Sequence, residues 1–325
     1  MARAALTLWR FQMTCLPSSF QADDSIVSIE LLAALVAEGN VVVLSGAGLS
    51  TESGVPDYRG GRPVSYWVRQ AVREGVEDST ESGIPDYRGE TGRARPATPM
   101  TYQEFTGSAE ARQRYWARSH LGWRFIGDVQ PNDGHRAVAE LQQQGLVTGV
   151  VTQNVDRLHQ AAGARDVIEL HGALAEVICL GCGTLSRRTE LETRLTAANP
   201  GWERENLPVK PDGDVDLDDT SGFVVVDCEV CGGLLKPDVV FFGETVPKDR
   251  VDRTFATVAA GRTLLVLGSS LKVMSGYRFV LFAKKQGLRV AIVNQGPTRG
   301  DAVADVRVDD RLGLVLPALS ATMVS

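Results

Sequence analysis

The sequence predicts an α/β protein: a Rossmann-like parallel sheet domain, with a smaller domain formed by insertions. Three observations carry this. Short runs that are apolar throughout, such as Val41–Leu44, alternate with segments of helical period, as expected of parallel strands covered by helices on both faces. Small or polar residues follow these runs, where open α/β sheets bind ligands. Two C-x-x-C pairs fall in one stretch, residues 177–236, that interrupts the alternation.

The elements follow in chain order. Ser25 can cap a helix that carries Ile26, Ile29, Leu32, Ala33 and Val36 on one face, and Gly39 stops it. Val41–Leu44 is then a buried strand. Asp133 precedes a helix over His135–Gln144, Gly145 ends it, and Val147–Thr152 is the next strand. A short strand covers Val167–Leu170. Thr263–Leu267 and Arg289–Val293 are further strands, with a helix over Tyr277–Gln286 between them. Strands joined through helices imply right-handed crossovers and a parallel sheet. The domain reading is a structureless leader at 1–24 and a sheet domain from 25–60, 131–176 and 237–325. A helical insertion occupies 61–130, and a cysteine module 177–236.

Composition bounds the function. The 325 residues suffice for one large domain plus a smaller one. A net charge of −6 argues against a nucleic-acid binder, which needs a basic face. No apolar run is long enough to span a membrane. Five cysteines are too few for a disulfide scaffold, and four of them in two C-x-x-C pairs suit a metal in a reducing compartment. That compartment is read as the cytoplasm, with the mitochondrial matrix as the alternative. Arg3 and Arg10 in the leader are too few for a convincing presequence.

Cys179, Cys182, Cys228 and Cys231 supply four thiolates on two tight knuckles, which close a tetrahedron around one zinc ion. Four protein ligands leave no position for water, so the site is structural. Cys15 is left over. Ser45-Gly46-Ala47-Gly48 follows the first strand and leads into Leu49-Ser50, so the backbone can approach a pyrophosphate and a following helix N-terminus can offer N–H groups. This turn lacks the third glycine of a dehydrogenase fingerprint. Gln153-Asn154-Val155-Asp156, Gly268-Ser269-Ser270 and Asn294-Gln295-Gly296 stand at predicted strand ends, and together they describe a long polar ligand lying across the sheet. His171, after the short strand, can serve as a general base at neutral pH.

Taken in order, these residues resemble the sirtuin family of NAD-dependent protein-lysine deacylases, from about Ser25 to Leu319. The motifs are GAGLSTESGVPDYR, TQNVD, LHG, the two cysteine pairs, KPDVVFFGE, GSSL and VNQG. The segment between the cysteine pairs, RYWARSH and SGYRF look most like the class II branch. The resemblance implies that Gly46, Ala47, Gly48, Ser50, Asp57, Tyr58 and Arg59 hold the NAD phosphates and nicotinamide ribose. It implies that Gln153, Asn154, Val155 and Asp156 line the ribose and nicotinamide pocket. Gly268, Ser269, Ser270, Asn294, Gln295, Gly296 and Leu312 would face the adenosine half. Val240, Phe241, Phe242, Gly243 and Glu244 would pair with an acylated-lysine peptide as an added strand, with Phe241 walling an apolar channel. His171 and Asn154 would be catalytic, His171 taking a proton from a ribose hydroxyl. The implied products are nicotinamide, O-acyl-ADP-ribose and free lysine, with acetyl-lysine the default substrate. Protein mono-ADP-ribosyl transfer is the alternative activity, and an inactive NAD-binding module the non-enzymatic one.

One loop departs from the family pattern. Ser50–Gly60 and Ser79–Gly89 are the same loop twice, differing at Val55 and Ile84, whereas the family has one. Val64, Trp67, Val68, Ala71 and Val72 between them follow helical spacing. The first copy joins the glycine turn directly, and a shorter tether gives a higher effective concentration, which favours Asp57 and Arg59. Asp86 and Arg88 compete, because loop length is weakly penalised. Arg157 stands where the family usually has a small residue.

Overall fold

A computed structural model describes residues 22–55, 100–202 and 219–323. The leader before Ala22, Cys15, the loop residues Asp57, Tyr58, Arg59, Asp86 and Arg88, and the helix expected over Val64–Val72 lie outside the described residues. No helix among the described residues is long and apolar enough to cross a membrane. The chain divides into two compact units.

The described residues of the larger unit are 22–50, 130–172 and 246–323. It opens with α1 (Ala22–Ala37), which buries Ile29, Leu32, Leu35 and Val36. The helix starts before Ser25, so Ser25 is an interior residue and not a cap, and the expected leader ended too late. Gly39, at φ +73°, closes it as anticipated. The next strand, β1 (Val41–Ser45), is buried along its whole length. It lies between β2 (Val147–Thr152) and β7 (Thr263–Leu267), with Val43 opposite Val150 on one side and Leu265 on the other.

β3 (Ile168–Glu169), β8 (Arg289–Val293) and β9 (Val306–Val308) complete a six-stranded parallel sheet of order β3-β2-β1-β7-β8-β9. Counting only these six strands in chain order, this is the 3-2-1-4-5-6 arrangement of doubly wound sheets, with its switch point between β1 and β7. Apolar residues of α1, α4 (Asp133–Gln143) and α9 (Leu312–Met323) form one core with the inward residues of these strands. The cap of α4 is Asn132, whose Oδ1 accepts from the His135 N–H at 3.1 Å; Asp133 is already helical. The single turn α5 (Leu158–Ala161) and two longer helices, α7 (Lys248–Ala260) and α8 (Met274–Lys285), also belong to this unit. The start of α8 at Met274 corrects the expected Tyr277.

The smaller unit comprises described residues 51–55, 100–129, 173–202 and 219–245. Its three-stranded sheet has the order β5-β4-β6, from β4 (Gly172–Cys179), β5 (Leu185–Arg187) and β6 (Leu235–Val239). Because β6 pairs with β4, the segment from Pro237 to Glu244 belongs here and not to the sheet domain expected to begin at 237. Helices α2 (Tyr102–Gly107), α3 (Ala109–Asp128) and α6 (Arg188–Ala198) surround this sheet. Phe105, Tyr115, Trp116, Phe223 and Phe241 form its core. Ring centroids of Phe105, Tyr115 and Phe241 lie 5.2–5.4 Å apart. Arg188 is buried within 5.3 Å of the rings of Trp116 and Trp123 and pairs with Glu192.

Candidate functional site

The carboxyl ends of β1, β2 and β7 meet at the switch point of the larger unit. Gly48 N–H donates to the Gly268 carbonyl at 2.8 Å. A Cβ on Gly48 would meet that oxygen at 2.8 Å, and one on Gly268 would meet the Leu49 nitrogen at 2.5 Å. Here glycine is required by close backbone approach. After Gly46 the chain forms two single turns of 3₁₀ helix, Ala47–Leu49 and Thr51–Ser53, where a helix N-terminus was expected. The N–H groups of Gly46, Gly48, Leu49 and Ser50 are all used inside the protein. The expected row of free N–H donors is therefore absent, because the turn spends them on closing against Gly268 and on its own carbonyls.

Beneath this turn lies a chain of neutral hydrogen bonds. His159 Nε2 and Ser45 Oγ are 2.8 Å apart, Ser45 donates to Thr152 Oγ1 at 2.9 Å, and the Asn154 N–H donates to the same oxygen at 3.1 Å. Burial pushes the His159 imidazole down to about 4. The Asn154 side chain donates to the Gly46 carbonyl at 3.1 Å and to Ser50 Oγ at 2.9 Å, and Ser50 in turn donates to Asp156 at 2.7 Å. Burial raises the Asp156 carboxyl, while this hydroxyl and the Leu158 N–H pull it back down. Gln153 Nε2 donates to Ser269 Oγ at 2.9 Å. Gly46, Gly48, Ser50, Gln153, Asn154, Asp156, Gly268 and Ser269 thus form one connected cluster.

His171 joins it through its backbone neighbour. Nδ1 lies 3.0 Å from the Gln153 carbonyl, which can only accept, so Nδ1 carries the proton and Nε2 holds the lone pair. Nε2 accepts from Ser275 Oγ at 2.9 Å. Burial lowers the imidazole below its ordinary value, the Gln153 carbonyl raises it, and Arg278 and Arg250 lower it further. The ring is neutral near pH 7 with its lone pair on Nε2, the form a general base needs.

Other expected ligand contacts are placed differently. Leu312 packs mostly into the core, its Cδ1 set against Gly268. Asn294 folds onto its own loop, donating to the carbonyls of Gln295 and Gly296 at 2.9 Å. Arg157 takes the left-handed conformation (φ +61°) and pairs with Glu169 at 3.0 Å.

In the smaller unit the four cysteine sulfurs lie within 4.8 Å of one another. Cys179 and Cys231 are 3.5 Å apart, and Cys182 and Cys228 3.8 Å apart. Zn–S bonds of about 2.3 Å in a tetrahedron require sulfur separations of about 3.8 Å, so the four fit one zinc ion. A Cβ on Gly233 would come within 3.1 Å of two of the sulfurs, so a side chain there would press on the knuckle. The Gly181 and Cys182 N–H groups donate to Cys179 Sγ at 3.4 and 3.5 Å, as they would to a thiolate.

The segment Val240–Glu244 is held from within. Lys236 is buried, donates to Val239 O at 2.5 Å and to Glu244 Oε2 at 3.1 Å, and sits 4.7 Å from the Phe241 ring centroid. The Glu244 carboxylate also accepts from the Phe241 N–H at 2.8 Å. Tyr102 N–H donates to the Phe242 carbonyl at 2.9 Å, and the Gln103 amide donates to that of Gly243 at 3.2 Å. Glu244 is therefore an internal brace rather than a contact residue, and much of the backbone expected to receive a peptide is already committed. Phe241 is buried in the aromatic core, while Phe242 is exposed. Lys236, Ser45 and Ser275 lie within the motifs KPDVVFFGE, Ser45-Gly46-Ala47-Gly48 and SGYRF, but the sequence assigned none of them a role of its own. The eight-residue spacing of Lys236 and Glu244 within KPDVVFFGE was the one available signal.

A doubly wound sheet with a polar cluster at its switch point, and a four-thiol module built into a separate unit, define an α/β protein with a structural metal site. Residues 75–275 match the Sir2 family, a span that includes the second copy of the duplicated loop and not the first. A protein of Streptomyces coelicolor named NAD-dependent protein deacetylase 1 is 58% identical over 284 residues, 87% of this chain and 84% of the relative. Another of that name from Mycobacterium avium is 47% identical over 294 residues, 89% of this chain and 93% of the relative. A solved Sir2 homolog–NAD complex superposes with a TM-score of 0.63 at 28% identity, covering 91% of this chain and 93% of that one. The chain belongs to the Sir2 family.

Proposed function

We propose that this chain, an NAD-dependent protein deacetylase of the Sir2 family, uses His171 as its general base and holds NAD at the switch point of its sheet. The observation that carries the reading is the tautomer of His171, fixed by the Gln153 carbonyl so that Nε2 bears a lone pair on a neutral ring. NAD supplies an electrophilic ribose carbon and a nicotinamide leaving group. The residues here supply the rest. Nε2 takes a proton from a ribose hydroxyl, and the Gln153 carbonyl stabilises the imidazolium through Nδ1. Asn154 and Ser50 fix the glycine turn that faces the co-substrate, and the buried Asp156 orients Ser50. Val155 follows β2, Ser270 follows β7, and Gln295 and Gly296 follow β8, all at the carboxyl side of the sheet, where they contribute shape rather than charge. Zinc bound by the four thiolates holds the smaller unit together and takes no part in the reaction, since all four positions are protein sulfurs.

Acylated lysine in a protein is the substrate read from these relatives, with recognition at Val240 and the exposed Phe242 side chain. Acetyl is the default acyl group. RYWARSH and SGYRF support placement in the class II branch, and four reduced thiols support a cytoplasmic location. The test is incubation with NAD and a panel of acyl-lysine peptides, which should yield nicotinamide, O-acyl-ADP-ribose and free lysine. Absence of that product with every peptide sinks the reading, and label from NAD ending on protein instead marks ADP-ribosyl transfer.

Asp57 and Arg59 are the proposed phosphate and ribose contacts, on the argument of the shorter tether. The family match beginning at residue 75 favours Asp86 and Arg88. Arg59→Ala and Arg88→Ala, compared for KM of NAD, separate the two: the arginine in use raises KM at least about tenfold, as loss of a charge-assisted contact does, and the other leaves it within about twofold.

A further inference from the structure

The first turn of α8 carries two consecutive residues that serve the same imidazole. Ser275 reaches it directly, its Oγ standing 2.9 Å from His171 Nε2. Gly276 reaches it through Gln153: a Cβ on Gly276 would lie 2.4 Å from Gln153 Oε1, so a larger residue there would displace the Gln153 amide from its present position. The Gln153 amide is then fixed on Ser269 Oγ at 2.9 Å and on the Ser45 carbonyl at 3.3 Å, while its backbone carbonyl holds His171 Nδ1 at 3.0 Å. The ring is therefore pinned at both nitrogens, once by a group that can only accept and once by a hydroxyl that can do either.

We propose that Ser275 is a positioning residue for the base, its hydroxyl donating to Nε2 while His171 is neutral and turning to accept from Nε2–H once His171 is charged. This rests on the reading of His171 as the base. In the free protein the Ser275 O–H occupies the lone pair. When a ribose hydroxyl takes that place, its O–H bond breaks, the electron pair stays on the ribose oxygen and the proton forms the new Nε2–H bond. As the ribose oxygen moves on to carbon, Ser275 Oγ receives that N–H, so both imidazolium protons have acceptors, Gln153 O and Ser275 Oγ.

The two hydrogen bonds of Ser275 are unequal. The one to the imidazolium is charge-assisted, about twice as strong as the one to the neutral ring. Ser275 thus favours the charged form and opposes burial and the two cations that face the ring, Arg278 of α8 and Arg250 of α7. Removing the hydroxyl weakens the base.

Ser275→Ala should lower kcat about tenfold, leave KM for NAD within about twofold, and move the acidic limb of the kcat–pH profile to lower pH. Ser275→Thr, which retains the hydroxyl, should recover most of the loss. Circular-dichroism melts establish that each variant is folded. Should the alanine variant fail to fold, Ser275→Cys gives the same comparison with a weak donor. An alanine variant with wild-type kcat and pH profile overturns the proposal, as does a threonine variant as slow and as shifted as alanine. His171→Ala run beside them separates the two levels. If it keeps full turnover, the reading of the base falls and this proposal with it. If it is inactive while Ser275→Ala is normal, this proposal alone falls.

Discussion

The two units bury polar groups in opposite ways. At the strand ends of the larger unit most are neutral: Ser45, Thr152, Asn154, His159 and His171 pass hydrogen bonds along without a formal charge, and the Asp156 carboxyl is the exception. In the smaller unit the largest are ionic, Lys236 against Glu244 and Arg188 against Glu192, beside four thiols, two buried and two exposed, that fit one metal. Neutral hydrogen bonds have a net value near ~1 kcal/mol and exchange partners readily. A buried charge that loses its partner costs several times more. The first arrangement suits a place where a proton must move, and the second suits a frame that must stay still.

Removing the metal should break the contrast most severely. Structural zinc contributes on the order of 10 kcal/mol in small modules, so a strong chelator or Cys179→Ser should unfold the smaller unit and abolish deacetylation. Zinc release measured with a chromogenic chelator should run parallel with loss of near-ultraviolet dichroism. Activity that survives complete zinc release would contradict the structural assignment.

The ion pair comes next. Lys236→Met alone leaves the Glu244 carboxylate facing the Phe241 N–H without its cation, and should cost about 3–5 kcal/mol, read as a lower denaturation midpoint. The double variant Lys236→Met with Glu244→Leu should recover part of that stability, yet raise the peptide KM, because the Val240–Phe242 backbone loses its brace. A double variant with wild-type KM would show that the pair stabilises without placing the segment.

Acid should expose the smallest effect, and it acts on the other unit. His159 is held neutral, down to about 4, against about 6.5 when unfolded. Between these values the unfolded chain binds more protons than the native one, so stability rises with pH. The contribution of His159 is complete above about pH 6.5 and drains away as pH falls through 4. The buried His135, also depressed, works in the same direction. The thermal midpoint should therefore decline from pH 6.5 downward, and His159→Gln should flatten part of that decline. An unchanged slope would place the acid sensitivity elsewhere.

Much of this frame is legible in the amino acids. Val147–Thr152, Thr263–Leu267 and Arg289–Val293 are strands to the residue as expected, because a parallel strand covered on both faces is a short run dominated by apolar and β-branched residues. The cysteine spacing located the metal site for a similar reason, since ligand geometry is local. What failed was whatever depends on distant chain. Of the free N–H groups expected after Gly46, that of Gly48 is spent on Gly268, more than two hundred residues on, and those of Leu49 and Ser50 on carbonyls of the turn itself. Leu312 turned inward because α9 supplies core, a role invisible without the sheet it packs on. Ser275, though part of SGYRF, was given no role because α8 was expected to begin two residues after it, and a residue outside a helix has no predictable direction.

Gly48 and Gly268 also limit how this enzyme can be redesigned. A methyl group on either α-carbon strikes backbone at 2.8 or 2.5 Å, and backbone, unlike the tip of a side chain, cannot swing aside. Any scheme to accommodate a bulkier co-substrate analogue must leave these two positions bare. The room has to come from side chains such as Ser269 or Val155, which can be trimmed without parting the two central strands.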